Sequence, residues 1–390
     1  MPDTIDGQGY PLVFKVRQGT GPLPLLSAGG RDTIKVEARQ LAHHQKEAIV
    51  TGGAAASTWR FPSDEGVHLK GTDLAPFPLG FFNAGMQSDL YGKIRALAPA
   101  RGIALDDVHI RLVNHYWLTG SFIHGTGEGH AEPPDLDVSV RSSASSAAVE
   151  ALVAAAIDAS PAFAFLRTPL TTNTFALYIN GRRRQVEGVA NSSAPDAEDP
   201  YRVYKTAPRP LDASARTQLI TKTGKQQDGA PQPAANTIQG KQLRNIFGDG
   251  APRGPAGLYA TDTWLQMSGA SHFSLTSDEG EGDAAPSGLA LLSAGITFCY
   301  MTQLSRYIEN MKMAIRGVRI VQYNPFVAGA KAVAEPIDTH LFLNGEAADE
   351  THLQLLTVAA RTCYLHACAK TPLEPIVRVI HNGTPTAKAA

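Results

Sequence analysis

The chain has 390 residues, room for two domains of ordinary size. It is 43% hydrophobic and 18% charged with a formal charge of −1, so no global field draws it to nucleic acid or to an anionic membrane. Its three cysteines, Cys299, Cys363 and Cys368, are too few for a secreted disulfide framework and fit a reducing, cytoplasmic compartment.

The N-terminal MPDTIDGQGY is acidic and does not read as a signal peptide, and no run reaches the roughly 18 apolar residues of a membrane span. Residues 1–30 form an irregular Gly/Pro-rich arm. Strand-like alternation starts near Thr33 in TIKVEARQL and continues in KEAIVTG and TWRF. SDEG (63–66) and a Pro-rich turn precede a helical pattern from about Leu79 to Ala98, with Leu90, Ile94 and Leu97 on its apolar face. VHIRLVNHYW (108–117) reads as a strand, HGTGEGH as a Gly-rich loop and DLDVSV as another strand. SSAAVEALVAAAIDAS (145–160) is a helix, and FALYINGRRR is a strand whose Arg182–Arg183–Arg184 run reads as a solvated end. Residues 191–211 are a linker by composition, and 212–256 a polar stretch, either a long loop or disordered.

The second half repeats this order. SDEG recurs at 277–280, an offset of 214; AEPPD (131–135) recurs as AEPID (334–338) and RTPL (167–170) as KTPL (370–373), both at 203; NAG before Met86 matches SAG before Ile296 at 210. The drop from 210 to 203 places a seven-residue insertion in the first half, at HGTGEGH. The expected division is a first repeat at 31–190, a connecting region at 191–256 and a second repeat at 257–390, with the two halves superposing and their central helices packed near a pseudo-two-fold axis.

The chemistry gathers in the second repeat. Ser287–Tyr300 is almost uncharged and opens a helix whose Met301, Leu304, Ile308 and Met311 share a face, which puts Cys299 in the first turns of a buried helix. Cys363 lies 64 residues later in a second helical pattern with Leu356, Ala359 and Ala360. At the repeat offsets, Cys299 corresponds to Asp89 and Cys363 to Ser160, so one half keeps two thiols and the other carries their degenerate equivalents. Free cysteines are also common core residues, and two structural thiols is the alternative to a functional pair. His366 shares a helix face with Cys363 and is a candidate to lower its pKa, or a satisfied helix histidine. Four histidines at 109–130 invite a metal site, but His109 and His115 are about 20 Å apart along one strand and cannot share an ion; no metal and no cofactor is assigned.

APSGLALLSAGITFC and ARTCYLHACAKTPL, with Ser160–Pro161 as an oxygen-for-sulfur counterpart, resemble the OsmC/Ohr family, the osmotically induced and organic-hydroperoxide-resistance proteins. The resemblance covers about 59–185 and 258–385. It implies an α+β fold with antiparallel sheets wrapped around long central helices, here a dimer fused into one polypeptide. It also implies a stress-response peroxidase in which Cys299 is oxidised by an organic hydroperoxide, Cys363 resolves the sulfenic acid as a disulfide, and a dithiol protein restores the pair. The family's acid nine or ten positions before the first cysteine is missing: Leu289 and Ala290 stand there, and the nearest upstream acids are Glu279, Glu281 and Asp283. The second repeat also lacks the family's arginine, for which Arg60 of the first repeat is a candidate, with Glu279 and His366 as further supporting residues. The alternative is a non-redox protein whose pocket between the repeats binds or transforms an apolar small molecule.

Overall fold

The computed structural model of the chain describes residues 4–54, 57–214, 217–226, 237–238, 241–254, 257–280 and 282–386. The first half supplies β1 (Phe14–Arg17), β2 (Arg31–Gln40), β3 (Lys46–Thr51), β4 (Thr58–Ser63), α1 (Pro78–Leu97), β5 (Asp107–Thr119), β6 (Glu128–Arg141), α2 (Ser146–Asp158), α3 (Pro161–Arg167), β7 (Thr174–Ile179) and β8 (Arg182–Arg184). Proline opens α1 and α3, where its missing N–H costs nothing, and the Ser145 hydroxyl caps α2 by accepting from Ala148 N–H. The polar stretch 212–256 is not all loop. It holds β9 (Ile220–Gln226), the short hairpin β10 (Thr237–Ile238) and β11 (Lys241–Gln242), and β12 (Arg244–Pro252). The second half continues with β13 (Leu258–Leu265), β14 (Ser271–Asp278), α4 (Gly288–Asn310), β15 (Ile315–Val327), β16 (Val333–Ala334), β17 (Asp338–Gly345), α5 (Asp349–Thr362), α6 (Tyr364–Lys370), β18 (Ile376–His381) and β19 (Thr384–Pro385).

This is a mixed α+β fold with two large sheets. The first has the order β1-β4-β3-β2-β15-β17-β7-β8, with β16 on β15; the second runs β19-β18-β6-β5-β12-β13-β14-β9. Each sheet is a composite. In the first, β2 pairs antiparallel with β15 from the other half, and in the second β12 pairs antiparallel with β5. The parallel pairs β7–β17 and β6–β18 again join one half to the other. The element order of the two sheets matches when β1–β4 are read against β9 and β12–β14, β5 against β15, β6 against β17 and β7 against β18.

The helices lie between the sheets: α4 packs on β2, β3 and β15, α1 on β12, β13 and β5, and α1 and α4 on each other. Their crossing is unusually close. A Cβ at Gly85 would fall 2.5 Å from Leu292 N and 2.6 Å from Gly288 O, and one at Gly295 would fall 2.7 Å from Phe82 N and 2.9 Å from Pro78 O. Gly85 and Gly295 are 210 residues apart, the offset of the surrounding motif. Although the apolar runs looked too short for a membrane span, α4 is long and apolar enough to cross one, and 94% of that window is buried within the protein.

The connecting segment acts as a strap over the outer face of the first sheet. Asp196 accepts from Tyr178 on β7, Asp199 accepts two bonds from the Arg319 guanidinium on β15 (2.6 and 2.9 Å), Tyr204 donates to Glu37 O on β2, and Leu211 N–H donates to Lys15 O on β1. It therefore crosses the β2–β15 seam. The surface beneath it is apolar, with Ala176, Tyr178, Val321 and Phe342 in one cluster.

Because the contacts at Gly85 are backbone atoms that cannot swing away, Gly85→Ala should destabilise the fold by about 3 kcal/mol, the upper range for overpacking. Comparison of urea midpoints, with the m-value unchanged, checks this.

Candidate thiol site

Cys299 sits mid-helix on α4, eleven residues past Gly288, rather than in the first turns as the pattern implied. Cys363 is not within a helix. It is the extended residue (φ −70°, ψ 121°) that ends α5 and caps α6. The bend between those helices turns its side chain to α4, and Cys363 Sγ donates to Cys299 Sγ at 3.3 Å. Both are free thiols, 0% and 3% exposed. A disulfide needs about 2.05 Å between sulfurs, so a small shift separates this contact from a bond.

Burial is the largest influence on Cys299 and pushes its pKa well up. The neighbouring Cys363 and the Glu65 carboxylate push the same way, and the Leu365 amide at the start of α6 works against them. The helix start that assists Cys299 is thus that of α6, not of its own helix. Cys368, also buried, is pushed up in the same way, and Tyr116 O–H is buried beside it.

Cys299 faces a cleft of about 100 Å³, several water volumes. Along α4 the cleft is lined by Cys299, Thr302, Gln303 and Arg306, at i, i+3, i+4 and i+7 on one face. Glu65 and His68 enter from the segment after β4, Arg244 from β12 and Tyr364 from α6, while Phe77, Leu79, Leu265 and Met267 provide apolar wall. Glu65 is held by buried Lys46 (3.4 Å) and by the Thr302 hydroxyl (2.5 Å). So the cleft brings together a thiol, the carboxylates of Glu65 and Asp73, the His68 imidazole and two guanidinium groups. Sequence reasoning missed Glu65, Arg244, Arg306 and Tyr364. Arg306 was visible as the residue two helical turns after Cys299, and Glu65 as part of the repeated SDEG; Arg244 lies within the polar stretch 212–256 and carried no signal.

The proposed supporting residues are placed elsewhere. Arg60 is fully buried and paired with Glu47 at 2.9 Å; it does not line the cleft. His366 packs on Tyr300 and Phe175, and burial lowers its pKa to about 3, so it stays neutral and supplies no cation. Phe298 and Tyr300, the neighbours of Cys299 in sequence, point into the core and do not line the cleft. Glu281 lies outside the described residues. Among the described residues no cluster of histidines, cysteines and carboxylates could hold a metal. His130 stacks on Trp117 and bonds to Thr119, and His115 bonds to Asn245 and Asp135.

Glu279 lies away from the thiols, beside Asp89 and Ser88 of the first half. There, Ser160 Oγ donates to Asp89 Oδ2 at 2.5 Å and Ala162 N–H donates to the same oxygen at 3.2 Å. Ala162 and Leu365 differ by 203, so Asp89 and Ser160 occupy the relation that Cys299 and Cys363 occupy, with an amide at the same place. Lys93 lies 3.6 Å from Asp89, and Glu279 accepts from Ser88 and from Gly288 N–H. Burial and the nearby Asp89 raise the Glu279 pKa to about 7.

No protein-family model matches the chain, and no curated protein matches it. Among solved structures, an OsmC-like hydroperoxide resistance protein from Jannaschia sp. CCS1 is similar to part of it, at 21% identity and a TM-score of 0.20, over 31% of this chain and 83% of that one. So slight a likeness is no guide to activity.

The raised Glu279 pKa fixes the sign of a pH effect. The group is neutral in the native state up to about pH 7 and ionises near 4.3 when unfolded, so its contribution is present at low pH and is lost as pH rises from about 4.5 through 7. Buried His366 acts oppositely in part of that window, so the comparison is between wild type and Glu279→Gln. Their unfolding free energies should diverge by about 1–2 kcal/mol across it, the variant being relatively more stable at pH 8. Parallel curves would show that Glu279 ionises normally.

Proposed function

We propose that the chain is a duplicated OsmC-like pseudo-dimer whose retained thiol pair, Cys299 and Cys363, reduces organic hydroperoxides entering the cleft. The observation that carries this is the 3.3 Å approach of two buried thiols from elements 64 residues apart, one of them facing a largely apolar cleft with cationic groups. Sequence offsets and matching sheet orders support the duplication.

In this reading the Cys299 thiol loses its proton and the thiolate attacks the outer peroxide oxygen. The O–O bond breaks, the alkoxide takes a proton and leaves as alcohol, and Cys299 becomes a sulfenic acid. Cys363 sulfur then displaces hydroxide, water leaves and the disulfide forms. An external dithiol returns both sulfurs to the reduced state. Arg306 and Arg244 are the cations placed to favour the thiolate, against burial and against Glu65.

The strong upward push on the Cys299 pKa favours a second reading, a non-redox pocket for an apolar ligand in which the thiols are wall residues. Intact mass after stoichiometric cumene hydroperoxide separates the two. The wild type should lose two hydrogens. Cys299→Ser should abolish peroxide consumption, and Cys363→Ser should stop after one turnover and then gain oxygen as sulfinic acid. Cys368→Ser should change little. Unchanged wild-type mass and no peroxide consumption would leave the ligand-pocket reading.

A further inference from the structure

The Gly-rich loop between β5 and β6 has no counterpart in the sequence of the other half, and the cycle above gives it no part. It belongs to the first half, yet it folds onto the second half's thiol site. Arg361, near the end of α5, donates to Gly125 O and to Gly127 O (3.2 Å), and the Thr362 hydroxyl is 3.2 Å from Gly127 O. Asn310, the last residue of α4, donates to Ile123 O. Gly129, at the foot of the loop, lies so close to the Cys363 turn that a Cβ there would fall 2.6 Å from Thr362 O and 3.3 Å from the Cys363 carbonyl carbon.

Phe122 is the side chain this loop delivers. Its ring stacks on Tyr307 with centroids 4.1 Å apart and an interplanar angle of 24°, and the Arg306 guanidinium carbon lies 4.0 Å from the Phe122 centroid. Tyr307 is itself fixed by the Thr362 hydroxyl at 2.7 Å. Side chains on a helix lean toward its N-terminus, so an arginine at 306 is directed back along the face carrying Gln303, Thr302 and Cys299. Gln303 Oε1 accepts from Arg306 Nη1 at 3.2 Å. No carboxylate is paired with Arg306 within salt-bridge distance among the described residues, so the aromatic ring and the amide are what hold its planar head in the cleft.

We propose that Phe122 is a positioning residue: by stacking on the Arg306 guanidinium it fixes that cation in the cleft that Cys299 faces. Phe122 lies two residues before the HGTGEGH insertion, whose Gly125 and Gly127 carbonyls anchor the loop to Arg361 and Thr362, so this loop of the first half serves the thiols of the second. This rests on the redox reading for its use, but the geometry and the test below do not. The charged and titratable groups around Cys299 are Cys363, Cys368 and Tyr364 at α6, Tyr116 on β5, Glu65, His68 and Asp73 from the segment after β4, Arg244 on β12 and Arg306 itself. Of these cations it is Arg306 that packs on the loop, through Phe122.

The test is the rate of iodoacetamide labelling of Cys299 in the full chain, read by peptide mass from pH 6 to 10. Phe122→Leu keeps an apolar plug but offers no aromatic face. It should move the labelling profile to higher pH and slow labelling at pH 8 by roughly tenfold, as a cation–π contact of ordinary strength allows. Phe122→Trp should restore the wild-type profile to within about twofold. Arg306→Lys keeps the charge but loses the planar stacking head and should behave as Phe122→Leu does, which keeps the proposal open to test if Leu at 122 unfolds the loop. Wild-type labelling in folded Phe122→Leu and in Arg306→Lys would overturn it; so would a shift that Trp does not rescue. A wild type that labels as expected but consumes no hydroperoxide would end the redox reading and leave the role of Phe122 standing.

Discussion

The contact on which the rest depends is the close crossing of α1 and α4. Glycines on both helices let the two backbones nearly touch, and a Cβ at Gly288 would fall 2.7 Å from Asp89 N and from Gly85 O. One crossing therefore fixes the depth of both special positions, Asp89 on α1 and Cys299 on α4. It also explains why each helix lies under a sheet that mixes the two halves: once the helices are locked together, strands of either half find their partners across the seam. Neither half completes a sheet alone, and the strap over β2 and β15 reinforces the one seam it crosses through Asp199–Arg319 and Tyr204.

Within that frame, the state of the thiols is a contest between burial and charge. Full burial of an ionisable group can move its pKa by up to about 3–5 units, whereas one opposite charge a few ångströms away returns about 1–3. At Cys299 burial wins in the resting arrangement, and the protonated thiol shares a hydrogen bond with Cys363. In the proposed redox reading, reactivity then depends on how firmly the cleft's cations are held and how far Glu65 offsets them. Glu65 is itself tied to Lys46, so the carboxylate is partly neutralised by its own partner before it acts on the sulfur.

Much of this was legible in the sequence. Periodicity gave α1 within a residue at each end, and the α+β class came as what the resemblance to the OsmC/Ohr family implies. The spacing of Cys299 and Cys363 was informative because a buried pair must come from elements that can meet. What the sequence hid has physical reasons. A capping residue between two helices keeps the apolar spacing of its neighbours, so Cys363 looked helical. Arg60 looked available because its partner Glu47 lies on the adjacent strand, in a register that only the fold reveals. Glu65 and Glu279 share one motif, and nothing in the motif says that the swapped arrangement sends Glu65 to the thiols and Glu279 to Asp89.

That exchange sets the two sites apart. The same frame holds sulfur with sulfur in one half and carboxylate with hydroxyl in the other, each beside an amide 203 residues from its counterpart. The carboxylate can accept the hydroxyl proton and the amide proton together, so Asp89 gains from its neighbours what Cys299 does not. A thiol makes weak hydrogen bonds and is easily desolvated. The Asp89 side therefore ties its helices together with strong bonds and is closed by Lys93 and Glu279. The Cys299 side leaves two polarisable atoms in contact beside an open cleft, one of whose cations, Arg306, is held by an aromatic ring. The asymmetry follows from the bonding capacity of oxygen and sulfur in one geometry: one half binds its own polar atoms through strong hydrogen bonds, and the other holds two weakly bonded sulfurs in contact.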